Sequence, residues 1–294
     1  PPPSFHAEDG IRDLASSLVG SEMCIRDSRS GVHLIDLTAG EDPSFYQTGD
    51  ETFSPVASMV QSIREDIDLP LMVSVGVVAD SDLNRLAAAG ADWYACYQET
   101  HNRQLFEQLR LGQSFEARCR SKVVARTNGL LVEEGLLCGV GETSADLIHS
   151  FDAMSRLGAD QVRVMTFVPQ PGTPMQDQPS GSPLRELISI ALMRIVFPHL
   201  LIPASLDVDG LAGLRQRLDA GANVVTSLVP AGPGLAGVAQ RELDIEDGRR
   251  TAEGIASTLA ACRLSPATHD HYRSWIRQRK RVACIPDRMS AQAC

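Results

Sequence analysis

The sequence is poor in aromatic residues and has no long apolar run. Phe, Trp and Tyr together account for 5% of the 294 residues. No stretch reaches the roughly 18 apolar residues that a membrane-spanning helix needs. The amino-terminal segment lacks the basic, apolar and small-residue order of a secretory signal. We therefore expect no membrane segment and, by default, a cytoplasmic location.

Closely spaced cysteines and positive charge are also lacking. The seven cysteines stand at positions 24, 96, 119, 138, 262, 284 and 294, with no two closer than ten residues. Zinc and iron–sulfur sites use closer pairs, so the sequence predicts no metal site of its own. The net charge of -10 disfavours nucleic acid as the main partner. What remains is a globular composition, 43% apolar and 22% charged, with room for one large α/β domain or two ordinary ones.

Short apolar runs typical of buried strands recur along the chain and alternate with amphipathic helical segments. The runs are HLIDLT (33–38), PLMVSVG (70–76), WYACYQE (93–99), GLLCGVG (135–141), QVRVMTFVP (161–169), LIPASLD (201–207) and NVVTSLVP (223–230). Several helical segments end on an Ala-Gly-Ala or Leu-Gly-Ala element just before the next run. This alternation predicts a TIM-type (β/α)₈ barrel, with a doubly wound parallel sheet as the alternative.

Polar side chains gather at the carboxyl ends of these runs. In WYACYQETHN (93–102), a buried strand leads directly into hydrogen-bonding groups that are costly to bury without partners. One such end is explained by a surface turn, but all seven runs share the pattern. The residues are Asp36, Thr38, Ser74, Gln98, Glu99, Glu142, Thr166, Ser205, Asp207, Thr226 and Ser227. Because barrel enzymes carry their active sites at this end, we predict a polar pocket there.

Arg163 lies among apolar residues in VRVMTF and therefore needs an anionic partner. That partner is either an internal carboxylate, from Asp36, Asp207 or Glu142, or a ligand. One guanidinium with two carboxylates suits a diamino acid. GLLCGVGET places two glycines between a strand and a helix, which fits either a ligand-binding turn or a plain one.

Several segments resemble the radical S-adenosylmethionine enzymes related to biotin synthase and the hydrogenase-maturation radical enzyme. They are CYQETHNRQLFEQLRLGQSFEAR, GLLCGVGET, QVRVMTFVPQPGTPM and IPASLD. Within that group, IDLTAGEDP, VRVMTFVPQ, LIPASLDVDGL and AGANVVTSLVP are most similar to the methylornithine synthases of pyrrolysine biosynthesis. The resemblance implies a radical S-adenosylmethionine barrel that isomerises L-lysine to 3-methylornithine. It also implies a 5′-deoxyadenosyl radical, a [4Fe–4S] cluster and an electron donor.

The same resemblance implies roles for individual residues. Glu99 of YQET matches the residue that binds the ribose or amino end of S-adenosylmethionine, and Arg110 and Arg118 match those that hold its carboxylate and surroundings. The rest of the cofactor end is implied to be lined by Gln170, Ser227 and Pro230. The positions that bind the amino acid are matched by Asp36, Arg163, Ser205 and Asp207. Arg163 is implied to bind its carboxylate, and the acidic residues its ammonium groups.

The chain departs from that family at its amino-terminal side. The family's cluster motif, C-x-x-x-C-x-x-C, is absent, and Cys24 stands alone in GSEMCIRDS. Residues 1–28 resemble translated sequencing-adaptor sequence. We therefore expect residues 1–28 to be a non-native leader, residues 29–265 a barrel without its first βα unit, and residues 266–294 a carboxyl-terminal tail. On this reading the chain itself is inactive and poorly soluble.

Three alternatives remain open at this point. One is another radical enzyme of the biotin synthase-like group. A second is a lyase or aldolase barrel, which requires a Schiff-base lysine that none of the seven runs contains. The third is a cluster-free binding barrel. The basic run RQRKR (277–281) predicts a solvated helix face rather than a site.

Overall fold

A computed structural model describes residues 28–38, 41, 54–230, 243–245 and 247–283. The expected leader, except for Ser28, lies outside these residues. The strands are β1 Ile35–Thr38, β2 Leu71–Ser74, β3 Trp93–Ala95, β4 Leu131–Cys138, β5 Gln161–Thr166, β6 Pro203–Ser205 and β7 Val224–Thr226. The helices are α1 Pro55–Asp66, α2 Asp80–Ala89, α3 Arg103–Leu109, α4 Phe115–Thr127, α5 Ser144–Leu157, α6 Pro183–Val196, α7 Leu214–Asp219, α8 Ala256–Ala261 and α9 His269–Ala283. A short 3₁₀ helix spans Gly210–Ala212.

The strands form one parallel series in chain order. β1 to β5 pair as consecutive parallel neighbours, and β6 pairs with β7 in the same sense. Leu201, just before β6, continues the series because it bridges to Gln161 and accepts a 3.0 Å hydrogen bond from the Val162 amide. A doubly wound sheet reverses its strand order, so the predicted barrel order is confirmed and the alternative is not. No pairing between β1 and β7 occurs among the described residues, and the missing first unit stays a prediction.

Local sequence signals set the helix boundaries. Ser54 and Ser114 cap α1 and α4 by accepting backbone hydrogen bonds, and Thr143 forms a capping box with Asp146 at the start of α5. Gly90 and Gly158 end α2 and α5 in the left-handed conformation. The predicted Gly-based exits toward the next strand are therefore confirmed.

β4 begins earlier than predicted. The apolar run suggested a start at Gly135, whereas the strand begins at Leu131 and includes Glu133 and Glu134. Both glutamates are fully buried. Two adjacent acidic residues resemble a loop in sequence, because a buried carboxylate is stable only when distant residues supply cations and hydrogen bonds.

Helix α9 covers the amino end of the strands. Ile276 is buried against Met72, Trp93 and Leu131, and the Trp275 ring stacks on Trp93 with centroids 5.9 Å apart. Residues 269–283 are therefore part of the folded barrel, whereas the sequence had suggested a tail.

The basic run of α9 is also held by the barrel. Arg279 and Lys280 bond Asp160 and Asp92, each at 2.7 Å, and these aspartates immediately precede β5 and β3. The prediction of a solvated face is thus wrong for these two basic residues. Because α9 occupies the amino end, the carboxyl end is left for a site. No helix in the described part of the chain has the length and apolarity to cross a membrane.

Candidate active site

Asp36 is the second residue of β1, and its Oδ1 accepts a 2.8 Å hydrogen bond from Ser74, the last residue of β2. The two side chains meet because parallel pairing places Asp36 and Ser74 on the same face of adjacent strands. The Asp36 carboxylate is accessible to solvent, but the surrounding strands and side chains remove much of its hydration. This desolvation raises the pKa of Asp36 to about 6, against the opposing effects of Ser74 and Arg163. Asp36 therefore titrates close to neutral pH.

Arg163 on β5 pairs with Glu133 on β4. Its Nε lies 2.7 Å from Glu133 Oε1, while the phenol of Tyr97 donates to Glu133 Oε2 at 2.9 Å. Burial alone would lower the pKa of Arg163, but the Glu133 charge outweighs it and keeps the guanidinium protonated. The predicted internal partners, Asp36, Asp207 and Glu142, are therefore wrong as direct partners, although Asp36 still acts on Arg163 electrostatically. Among the described residues, neither terminal nitrogen of Arg163 has a hydrogen-bond partner.

Tyr97 lies against the backbone of β4 next to Arg163. The Arg163 guanidinium carbon is 5.5 Å from the centroid of the Tyr97 ring, a cation–π distance. A Cβ on Gly135 would lie 2.7 Å from the ring carbon Cδ1 of Tyr97, so this close approach requires glycine. Burial raises the pKa of Tyr97 well above its usual value, and the phenol stays a hydrogen-bond donor. Tyr97 and Glu133 together fix Arg163.

A second acidic group forms where β6 and β7 end. Asp207 Oδ2 accepts from Ser205 at 3.3 Å and also from Ser227, and Asp207 Oδ1 pairs with Arg250. The Arg250 Nε donates to the backbone oxygen of Ser227 at 2.6 Å, and Ser227 has a left-handed backbone with φ of 63°. The structure thus joins Ser227, implied for the cofactor end, to Ser205 and Asp207 of the implied amino acid group.

Glu99 follows β3 and pairs with Arg110, at 2.6 Å between Oε1 and the terminal guanidinium nitrogen. Burial raises the pKa of Glu99, while Arg110 opposes the change. Arg110 lies at the end of α3, whose N-cap, Asn102, stands only three residues after Glu99. The stretch that follows β3 therefore supplies a carboxylate together with its own cation.

Arg118 lies on α4 and is buried, with 2% of its surface exposed. It donates to Cys96 Sγ at 3.0 Å and to Gln113 Oε1 at 2.7 Å, and it also contacts the Glu41 carboxylate. Its Nε is buried without a hydrogen-bond partner in the described part of the chain. Arg118 is thus held next to a carboxylate, but it is not joined to Glu99 by any direct contact.

The remaining implied residues lie in loops. Gln170 follows β5 and donates to the Val168 carbonyl oxygen at 3.2 Å. Pro230 is half-buried three residues after Ser227. Neither makes a described side-chain contact with the Glu99–Arg110 pair or with Asp207.

The glycine turn after β4 binds its own carboxylate. The Gly139 amide donates to Glu142 Oε2 at 3.0 Å, and the Val140 amide does the same at 3.0 Å. Arg185 on α6 pairs with Glu142 Oε1 at 2.6 Å. Because Glu142 occupies these amides, the interpretation as a plain strand-to-helix turn is the one that the structure supports.

Sequence reasoning missed Glu133, Tyr97 and Arg250. Strand alternation provides a signal for the first two, because Tyr97 lies two residues after Ala95 and Glu133 two residues after Leu131, which puts both on the inner face. Arg250 gives no such signal, since it lies far along the chain in a loop.

The donor sets fit one implied cofactor and not the other. Glu99 offers carboxylate oxygens to ribose hydroxyls or an ammonium, and Arg110 suits a carboxylate, so this pair fits S-adenosylmethionine. Arg118 is buried, and its terminal nitrogens already bond Cys96, Gln113 and Glu41. No group of three His, Cys, Asp or Glu residues arranged to hold a metal occurs in the described part of the chain. The sequence contains no C-x-x-x-C-x-x-C motif either. The residues present therefore do not fit a [4Fe–4S] cluster.

Comparison with known proteins agrees with the resemblance seen in the sequence. No protein-family model matches the chain. The 3-methylornithine synthase of Methanosarcina acetivorans is 40% identical over 256 residues, which cover 87% of this chain and 72% of that protein. The 3-methylornithine synthase of Methanosarcina barkeri is 40% identical over 246 residues, covering 84% and 69%. A crystal structure of methylornithine synthase matches with a TM-score of 0.79 and 38% identity, covering 87% of this chain and 74% of that one.

Proposed function

Because the chain belongs to the 3-methylornithine synthase family, we propose that its barrel serves the conversion of L-lysine to 3-methylornithine. Enzymes of this family use S-adenosylmethionine and a [4Fe–4S] cluster. The chain's own residues fit the amino acid and the S-adenosylmethionine, but not the cluster. They therefore account for the binding steps.

The observation that carries the proposal is the presence of Arg163 and Asp36 in one parallel sheet, each held by a side chain of the neighbouring strand, Glu133 for Arg163 and Ser74 for Asp36. Arg163 is held through its Nε by Glu133, so its two terminal nitrogens are oriented to bind a carboxylate side by side. Asp36 provides an anion for an ammonium group. Asp207 provides a second carboxylate, which Ser205, Ser227 and the Arg250 guanidinium hold in place. This pattern matches the carboxylate and two ammonium groups of lysine.

Glu99 and Arg110 are proposed to bind S-adenosylmethionine next to the amino acid. In enzymes of this family, S-adenosylmethionine that has received one electron from the cluster would split into methionine and the adenosyl radical, which would take a hydrogen atom from lysine. The barrel has to hold lysine in one orientation during that step and to keep water away from it. Helix α9 contributes by filling the amino end of the barrel, which leaves the carboxyl end as the route of entry. An external electron donor is the further partner proposed.

The proposal is tested by measuring which amino acids bind. Isothermal titration compares L-lysine with L-norleucine, which lacks the side-chain amine, and with 1,5-diaminopentane, which lacks the carboxylate. We expect lysine to bind at least about tenfold more tightly than either, because each analogue leaves a charged group in the site unpaired. Equal affinity for norleucine would contradict a diamino acid site and favour another enzyme of the biotin synthase-like group.

The role of Arg163 is tested without leaving a buried charge. In Arg163→Met/Glu133→Gln, both partners of the pair are neutral, so the fold does not retain an unpaired Glu133 carboxylate. This double variant is expected to lose lysine binding. Arg215→Met is the matched control, since Arg215 is 65% exposed and pairs with Asp219 on the surface. Retained lysine binding in the double variant would show that Arg163 does not hold the substrate.

A further inference from the structure

Behind the candidate site, Lys122 on α4 and Glu134 on β4 form an ion pair in which both side chains are 0% exposed. Neighbouring residues of a strand point to opposite faces, so Glu134 lies on the opposite side of β4 from Glu133. Burial lowers the pKa of the nearby His101 to about 4, which leaves it neutral. Lys122 is therefore the cationic partner of Glu134, and the pair is separate from the amino acid site.

The pair is bonded to the backbone at the point where β3 ends. Glu134 Oε1 accepts from the Gln98 amide at 2.7 Å and from the Gly135 amide at 2.8 Å. Lys122 donates to the side-chain oxygen of Gln98 at 2.9 Å. The Gln98 side chain in turn donates to the carbonyl oxygen of Phe115, the first residue of α4, at 3.3 Å. One buried carboxylate thus joins both strands and the helix at Gln98.

Glu99, the next residue, lies in a bulge. β3 pairs Ala95 with Glu133, and the pairing resumes with Glu99 opposite Leu136. Residues 96–99 on the β3 side thus lie opposite residues 134–136 on β4, so the β3 side carries one extra residue. The Glu99 backbone takes the left-handed conformation, with φ of 66°, and is held by 3.0 Å bonds from its amide to Gly135 and from Leu137 to its carbonyl. A left-handed residue other than glycine is unfavourable and persists only where its surroundings fix it.

Stability is a poor explanation for a fully buried ion pair. Desolvation of two charges offsets most of their attraction, and apolar replacements of such pairs are often neutral or stabilising. What Glu134 provides that an apolar residue lacks is an acceptor for the amides of Gln98 and Gly135. That acceptor acts where the backbone must adopt the strained turn at Glu99.

We propose that the Lys122–Glu134 pair is a positioning device that fixes the bulge and so aims Glu99 at S-adenosylmethionine. This inference rests on the proposed function for the cofactor role of Glu99. Neither Lys122 nor Glu134 contacts the ligand. Both act through the backbone at residues 98 and 99.

Two double variants of the full chain, both without charge at positions 122 and 134, test whether the hydrogen-bond acceptor at position 134 is needed when the ion pair is gone. Lys122→Met/Glu134→Gln keeps a side-chain oxygen for the two amides, whereas Lys122→Met/Glu134→Leu removes it. Amide hydrogen exchange at Glu99 and Leu137 reports the bulge without any ligand, and titration with S-adenosylmethionine reports binding. Thermal unfolding of both variants provides the comparison of stability.

We expect the Gln variant to keep both amide protection and affinity. In the Leu variant the amides of Gln98 and Gly135 lose their acceptor, so the bulge is no longer fixed. We therefore expect this variant to lose exchange protection at the amides of Glu99 and Leu137 and to bind S-adenosylmethionine about tenfold more weakly. We also expect the single variant Lys122→Met to be strongly destabilised and to be rescued by adding Glu134→Gln. If the leucine variant fails to fold, Lys122→Met/Glu134→Met gives the same comparison with a more adaptable side chain.

Equal protection and equal affinity in the two double variants would overturn the positioning role. Loss of protection with unchanged affinity would support the positioning of residues 98 and 99 but overturn the cofactor role of Glu99. Hydrogen exchange therefore tests the positioning role of the ion pair, and S-adenosylmethionine affinity tests the cofactor role of Glu99.

Discussion

Lysine binding is predicted to depend on pH through Asp36. The pKa of this carboxyl is raised to about 6 by desolvation. Its ionised fraction therefore falls from roughly 90% near pH 7 to roughly 10% near pH 5. Lysine keeps both ammonium groups across this range, so the change arises in the protein. If Asp36 binds one of them only when ionised, the affinity for lysine falls by about tenfold between these pH values.

The assay is isothermal titration of L-lysine at several pH values, with the Asp36→Asn variant beside the parent. The variant is expected to bind weakly and to show no such pH dependence, because asparagine is neutral throughout. Asp219→Asn is the control, since Asp219 is 60% exposed on α7 and should leave the profile unchanged. A tenfold dependence that persists in Asp36→Asn would refute the assignment of the titrating group.

Asp36 also predicts the sign of a stability effect. Its pKa in the folded state lies above the usual value of 3.8, so the folded protein favours the protonated form. The contribution of Asp36 to the free energy of unfolding is therefore fully present below about pH 4 and is lost as the pH rises through about 6. Asp36→Asn should accordingly raise the melting temperature relative to the parent near pH 7 and leave it closer to the parent near pH 4. A site that favours ligand binding at the expense of stability behaves in this way.

Three further predictions follow from the fold and the site. Ile276→Ala should lower the free energy of unfolding in urea by about 2–4 kcal/mol, because Ile276 is buried beneath the barrel. The control Gln278→Ala, on the exposed face of α9, should change it by less than about 0.5 kcal/mol. Glu99→Gln should weaken S-adenosylmethionine binding by about tenfold while lysine binding is kept, and equal loss of both would indicate a collapsed site instead. Anaerobic treatment of this chain with iron and sulfide should yield no [4Fe–4S] absorption and no lysine turnover, since the cluster motif is absent, and an intact cluster signal would contradict this.

The contrast between Asp207 and Arg163 shows how far the candidate site follows from sequence. Asp207 was placed at a strand end by the apolar pattern of LIPASLD, and the structure brings it together with Ser205 as expected. Arg163 was identified as needing an anionic partner, either an internal carboxylate or a ligand, but Glu133 was not recognised as the internal one. The pattern of one strand indicates that a charge must be paired, but the pairing itself depends on the register between strands.

The sequence by itself determined the βα alternation, the helix caps and the collection of polar groups at one end of the strands. These features depend on residues within a few positions of each other, where backbone geometry and capping act directly. Only the tertiary structure decided that α9 fills the amino end, that Arg250 reaches Asp207, and that the bulge at Glu99 rests on Lys122 and Glu134. These contacts join residues far apart in the chain. Their stability depends on burial and charge pairing, which exist only once the barrel has formed.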